Sequence, residues 1–122
     1  MQRLLKQFAH LFLILVLTAC ATSNQGSPLL ESEPAAGSTQ SRAPRTLRLF
    51  FSALPDVDQS SLSLTGPAGE HSLRGLHTMA ADDLMIEILD PLTPGEYTVN
   101  WATVVEGDPT RHEGIFTFTV TP

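Results

Sequence analysis

The sequence has 122 residues, one cysteine, seven basic and thirteen acidic side chains, and a formal net charge of −6. That length holds one domain at most, and a hydrophobic fraction of 42% belongs to a globular chain rather than a disordered one. The acidic balance excludes nucleic-acid binding, which needs a clustered basic face, and the lone cysteine excludes an intrachain disulfide framework or a CxxC-type zinc or redox site.

In chain order, Arg3 and Lys6 precede an apolar run from Phe8 to Leu17. The run is shorter than the roughly 20 apolar residues that span a bilayer, and it has the length of a secretory signal core. Leu17-Thr18-Ala19-Cys20 resembles a bacterial lipobox, which implies cleavage after residue 19 and lipid on the thiol of Cys20. An ordinary signal peptide cut near Ala19 is the competing reading. In lipoproteins of enterobacterial type an Asp after the lipidated cysteine retains the protein at the inner membrane, so Ala21 favours the outer membrane. Processing would leave five arginines and no lysine against the thirteen acids, a net charge of −8. Such a surface repels anionic lipid, so attachment would rest on the lipid chain. Residues 20–28 then form the lipidated cysteine and a small, polar tether (ATSNQGSP), and residues 29–122 form the domain.

Beyond the tether no segment sustains the i, i+3, i+4, i+7 pattern of a helix, whereas period-2 alternation is abundant. Thr46–Phe51, Ser61–Thr65, Leu84–Leu89, Tyr97–Ala102 and Phe116–Thr121 each put apolar side chains on one face. Turn residues separate them, as in Gly66-Pro67-Ala68-Gly69, Asp82-Asp83, Pro94-Gly95 and Gly107-Asp108-Pro109. Strands with no helix to cover them must pack face to face. The pattern predicts an all-β, immunoglobulin-like Greek-key sandwich of about seven antiparallel strands. Its predicted core is Leu47, Leu49, Phe51, Leu64, Leu84, Ile86, Val99, Trp101, Phe116 and Phe118, with Tyr97 as a second aromatic anchor.

Four pieces in order also resemble the CopC/PcoC copper-resistance family. Leu29 to Gly37 and Ala43-Pro44-Arg45-Thr46-Leu47-Arg48-Leu49-Phe50-Phe51-Ser52 resemble its opening S-x-P-A-x-G turn and A-P-x-x-L-x-L-x-F-S strand. Leu92-Thr93-Pro94-Gly95-Glu96-Tyr97-Thr98-Val99-Asn100-Trp101 resembles its L-x-P-G-x-Y-x-V-x-W signature, and Gly114 to Val120 its closing strand. The resemblance implies a periplasm-facing copper-binding protein for resistance or delivery, with copper and a copper-transporting inner-membrane protein as partners.

The resemblance also implies a Cu(II) site built from the amino terminus, a terminal His, and an Asp and His in the loop after the tryptophan. The terminal position falls on Gly26, which cannot ligate. The loop pattern reads Glu106-Gly107-Asp108-Pro109, and a two-residue slip lets His112 take the place of the loop His. The candidate ligands are therefore Asp108 and His112, with Glu106 and Glu113 as helpers, a degenerate set that suits Cu(II) better than Cu(I). Arg111 opposes a cation there unless it turns to Glu113. In the region of the family's Met-rich Cu(I) site only His77, Met79 and Met85 stand, and they read as surface or strand-edge residues. His71 reads as a solvated turn residue, and Asp82-Asp83 and Asp56/Asp58 as turn acids. No G-x-S-x-G, H-E-x-x-H or phosphate loop occurs, so an enzyme is not expected. A structural or interaction module without metal is the second function class left open.

Overall fold

The computed structural model describes residues 26–122; the expected signal peptide at 1–19, the expected lipidation site Cys20 and the expected tether through residue 25 lie outside the described residues. Nine strands follow one another: β1 (Leu29–Glu33), β2 (Thr39–Gln40), β3 (Thr46–Phe51), β4 (Ser61–Gly66), β5 (Gly69–His71), β6 (Leu73–His77), β7 (Asp83–Ile88), β8 (Gly95–Val105) and β9 (Asp108–Val120). A 3₁₀ turn, Val57–Gln59, is capped by Asp56, whose side chain accepts from the Asp58 amide. β1-β3-β7-β6 form one sheet and β2-β9-β8-β4-β5 the other. All pairings are antiparallel except the two-residue β2 beside β9.

Alternation decides which side chains face inward. Leu47, Leu49 and Phe51 of β3, Leu84 and Ile86 of β7, Leu64 of β4, and Tyr97, Val99 and Trp101 of β8 are all buried between the sheets, as their spacing predicts. Phe116 departs from the prediction: it is only half-buried and packs against the core's margin. It lies opposite Val99, on the long β9 strand near the parallel edge, where the two-residue β2 covers little. The Tyr97 ring stacks on Phe118 at 5.5 Å, and its hydroxyl donates to the Thr93 carbonyl at 2.6 Å. That bond fixes the corner before β8, as the tyrosine corner does in immunoglobulin-like sandwiches. Trp101 meets Phe51 edge-on at 5.6 Å, joining the two sheets. Gly114 pairs with Trp101 across the β8–β9 ladder, and a Cβ there would lie 2.7 Å from three indole atoms. The strand therefore carries glycine where the tryptophan ring needs the room.

Two further expectations are corrected. His71 is not a solvated turn residue: it ends β5, is half-buried, and its ring lies 5.6 Å from that of Tyr97. Asp83 is not a turn acid but the first residue of β7, fully buried. Its carboxylate accepts from Arg48 Nε and from the Met79 amide, each at 2.7 Å, which satisfies both oxygens.

The strand directions define two poles. At one pole the Ser52 amide donates to the Pro28 carbonyl, the Asp56 amide to the Val104 carbonyl, and the Glu106 amide to the Leu54 carbonyl. The Phe51 amide donates to the Asp82 carbonyl there as well, so the start of the described chain, the β8–β9 turn and the segment between β6 and β7 gather at one end. The segments leading into β3 and out of β7 lie at the other, five residues or about 17 Å along the strands.

Candidate functional site

The expected loop from Glu106 to Glu113 is for the most part strand. β8 runs to Val105, Glu106 and Gly107 make a two-residue turn with Gly107 at φ +85°, and β9 begins at Asp108. In a regular strand, residues four apart are separated by about 13 Å, so Asp108 and His112 would not meet. The register shows why they do. Thr103 pairs with His112 and Val105 with Asp108, so three residues of β9 (109–111) oppose Val104 alone. Such an excess bends the strand and redirects its side chains. The Asp108 carboxylate also accepts from the Thr110 amide at 3.0 Å, drawing the bend tighter.

The result is direct contact: His112 Nε2 lies 2.9 Å from Asp108 Oδ2. The imidazole is largely buried, at 19% exposure, and the carboxylate is 44% exposed. The hydrogen bond from His112, and after it the one from the Thr110 amide, hold the Asp108 carboxyl below the usual carboxylate range. Across the ladder the fully buried Thr103 bonds the Ser60 hydroxyl at 2.6 Å, and Ser60 donates to the Asp56 carbonyl. The strand position opposite His112 is thereby locked to the 3₁₀ turn. The imidazole sits on a rigid floor with its carboxylate partner toward solvent.

The two expected helpers do not join. Alternation sends Glu113 to the outer face of the sheet, where it faces Arg111 at 3.7 Å. Arg111 also donates to the Gln59 carbonyl at 3.0 Å, so its charge is held on that outer face. Glu106 is exposed on the turn and makes no side-chain hydrogen bond or ion pair among the described residues. Gly26 lies exposed at the same pole. Among the described residues no group of three or more His, Cys, Asp or Glu converges on one point.

The same pole carries a second pair. His77 Nδ1 bonds the Gly75 carbonyl, and Nε2 lies 3.2 Å from the Met79 sulfur. A carbonyl only accepts, so Nδ1 carries a proton, and in the neutral ring the Nε2 lone pair faces the thioether. Met85 pairs with His77 across the β6–β7 ladder. The sequence predicts separate surface or strand-edge residues here, and the fold brings His77 and Met79 into contact. The H-x-M spacing was the available signal, but the contact depends on Asp83 anchoring the Met79 amide.

The CopC domain family model matches residues 29–121, nearly all of the described chain. Protein YobA of Escherichia coli K12 is 33% identical over 100 residues, covering 75% of this chain and 76% of that protein, and the same figures hold for Protein YobA of Shigella flexneri. The crystal structure of selenomethionine PcoC, a copper resistance protein from Escherichia coli, superposes with a TM-score of 0.70 at 28% identity, covering 78% of this chain and all of that one. CopC from Methylosinus trichosporium OB3b superposes at 0.69 and 24% identity over 80% of this chain and 95% of that one, a likeness of fold.

Proposed function

Because the chain belongs to the CopC domain family, we propose that it is a copper-binding protein of the cell envelope that takes Cu(II) at Asp108 and His112. The observation that carries this reading is the 2.9 Å contact between imidazole and carboxylate. Two donors bound at right angles about 2 Å from one ion lie about 2.8 Å apart, so the separation already suits a shared ion, which takes the place of the proton once the imidazole turns about 45° from the line of the hydrogen bond. Imidazole and carboxylate suit a first-row divalent ion, and the Irving–Williams order favours Cu(II). With two protein donors the site is weaker and less selective than a full tetragonal set. Open positions suit an ion that is passed on, and a copper-transporting protein of the inner membrane is the proposed recipient. Lipid on Cys20 would hold the domain at the periplasmic side of a membrane, the outer one by the residue at 21. The role is binding and transfer, not catalysis.

The His77–Met79 contact supports a second reading, in which the same pole takes Cu(I) through imidazole and thioether. Soft sulfur ligation selects Cu(I), whereas Asp108 and His112 offer only nitrogen and oxygen. One experiment separates the Cu(II) reading from a module without metal. Cu(II) is titrated into the protein while the fluorescence of Trp101 is followed. Gly114 lies under the indole two residues from His112, so an ion at the site is within quenching reach. Saturable quenching at micromolar copper, lost in His112→Ala, supports the Cu(II) site. Quenching that does not saturate and is unchanged in His112→Ala removes it, and the interaction-module reading then leads.

A further inference from the structure

The pole opposite the candidate copper site carries a groove of about 440 Å³ between the segment entering β3 and the segment leaving β7. Pro44 and Pro91 stiffen its walls, Leu89 lines it at 42% exposure, and Arg42 and Arg45 stand along it with Asp90 as a lining carboxylate. The arginines are what distinguish this groove. Of the five in the described chain, Arg48, Arg74 and Arg111 are each paired with an acid, at 2.7, 2.9 and 3.7 Å. Arg42 and Arg45 alone make no ion pair or side-chain hydrogen bond among the described residues. An otherwise acidic surface thus directs two uncommitted guanidinium groups onto one mostly apolar cleft.

We propose that this groove docks an acidic, extended segment of a protein partner, with carboxylates on Arg42 and Arg45 of one wall and, from the intervening residues, apolar side chains against Leu89 of the other wall. Charge complementarity selects the occupant: guanidinium groups bind carboxylates bidentately, and the apolar wall across the groove takes the aliphatic side chains that alternate with them. In an extended peptide, side chains two apart share a face and sit about 7 Å apart. Arg42 and Arg45, three residues apart on a non-helical segment, are separated by at most about 10 Å along the backbone. An acidic residue at alternate positions fits that separation. An anionic membrane fits less well, since lipid surfaces are held by clusters of four to eight basic residues and this chain is acidic overall. The groove also lies at the pole away from the start of the described chain, where a lipid tether would enter.

The test is an amide chemical-shift titration of the ¹⁵N-labelled protein with an acetylated, amidated peptide of alternating Glu and Leu. A Gln-for-Glu peptide serves as control. Saturable shifts at Ala43, Leu89 and Leu92, weakened by added salt and at least about tenfold by the Gln peptide, are the expected result. Both arginines are exposed, so the double variant Arg42→Gln/Arg45→Gln keeps the fold, and it should lose the same tenfold while Arg74→Gln loses nothing. Absence of saturable shifts, equal binding of the two peptides, or equal binding of the double variant overturns the proposal. So does arginine-dependent binding to phosphatidylglycerol vesicles with no response to the peptide, which would make the groove a lipid contact.

Discussion

Replacing Asp83 by alanine should be among the most destabilising single changes in this domain. The carboxylate is completely buried and accepts two hydrogen bonds at 2.7 Å, one from Arg48 Nε and one from the Met79 amide. Hydrogen bonds to a charged group contribute about 1.5–3 kcal/mol each, and removing one partner of a buried pair costs about 3–5 kcal/mol. Arg48 moderates the loss. Its side chain is 27% exposed and its guanidinium lies 4.6 Å over the Phe50 ring, so it can regain water and keep the stacking. The expected cost is therefore near the lower end, about 3 kcal/mol, a large share of the roughly 5–15 kcal/mol that holds a domain folded. Urea unfolding followed by the single tryptophan measures it directly. With a slope of roughly 1–1.5 kcal/mol per molar for a domain this small, the midpoint should fall by about 2–3 M. Arg74→Gln is the control, because Arg74 and Glu87 pair in the open at 67% and 53% exposure and should contribute less than about 1 kcal/mol. A loss below about 1 kcal/mol in Asp83→Ala would refute the reasoning. So would a loss no larger than that of Arg74→Gln.

Gly114→Ala should destabilise by about 1–3 kcal/mol in the same assay, because its Cβ would press on the indole of Trp101; Trp101→Ala, followed by far-UV circular dichroism, should cost about 3–5 kcal/mol. The lowered Asp108 carboxyl means that the folded state holds the charged form more tightly than the unfolded chain does. Its contribution is thus complete above the ordinary Asp range near 3.9 and is lost as pH falls through the lower folded value. Carbon-detected NMR titration should show the Asp108 midpoint rising in His112→Ala, which removes the donor, and an unchanged midpoint would contradict the hydrogen bond. Cys20→Ser should release the protein from the membrane fraction or block its maturation, as fractionation without detergent would show; a wild-type protein that is already soluble there contradicts the lipid anchor.

What could be read from the sequence follows from how local the signal is. β3, β4 and β7 lie where strict alternation marks them, since a half-buried strand writes its burial into every second residue. β5 and β6 left no such mark: they are three and five residues long, and Gly75, at φ +80°, breaks the second. The burial of Asp83 is not legible locally, because acids beside turns are common and only the cross-strand position of Arg48, thirty-five residues away in sequence, shows that this one is buried and paired. The candidate site was legible as a set of residue types but not as a geometry. Asp108 and His112 come together through an irregularity in the β8–β9 register, whereas period-2 alternation beyond that bend carries Glu113 away to the other face. The Arg42–Arg45 groove had no sequence signal, because the two arginines are distinguished only by lacking the partners that the other three possess.

The most direct test of the copper assignment is pulsed electron paramagnetic resonance on the protein with one equivalent of Cu(II), beside His112→Gln and Asp108→Asn. The assignment predicts modulation from the remote nitrogen of a bound imidazole in the wild type and its disappearance in His112→Gln. It also predicts a weaker, altered copper signal in Asp108→Asn. Imidazole modulation that persists in His112→Gln, or a wild-type spectrum of aquated copper alone, would contradict it.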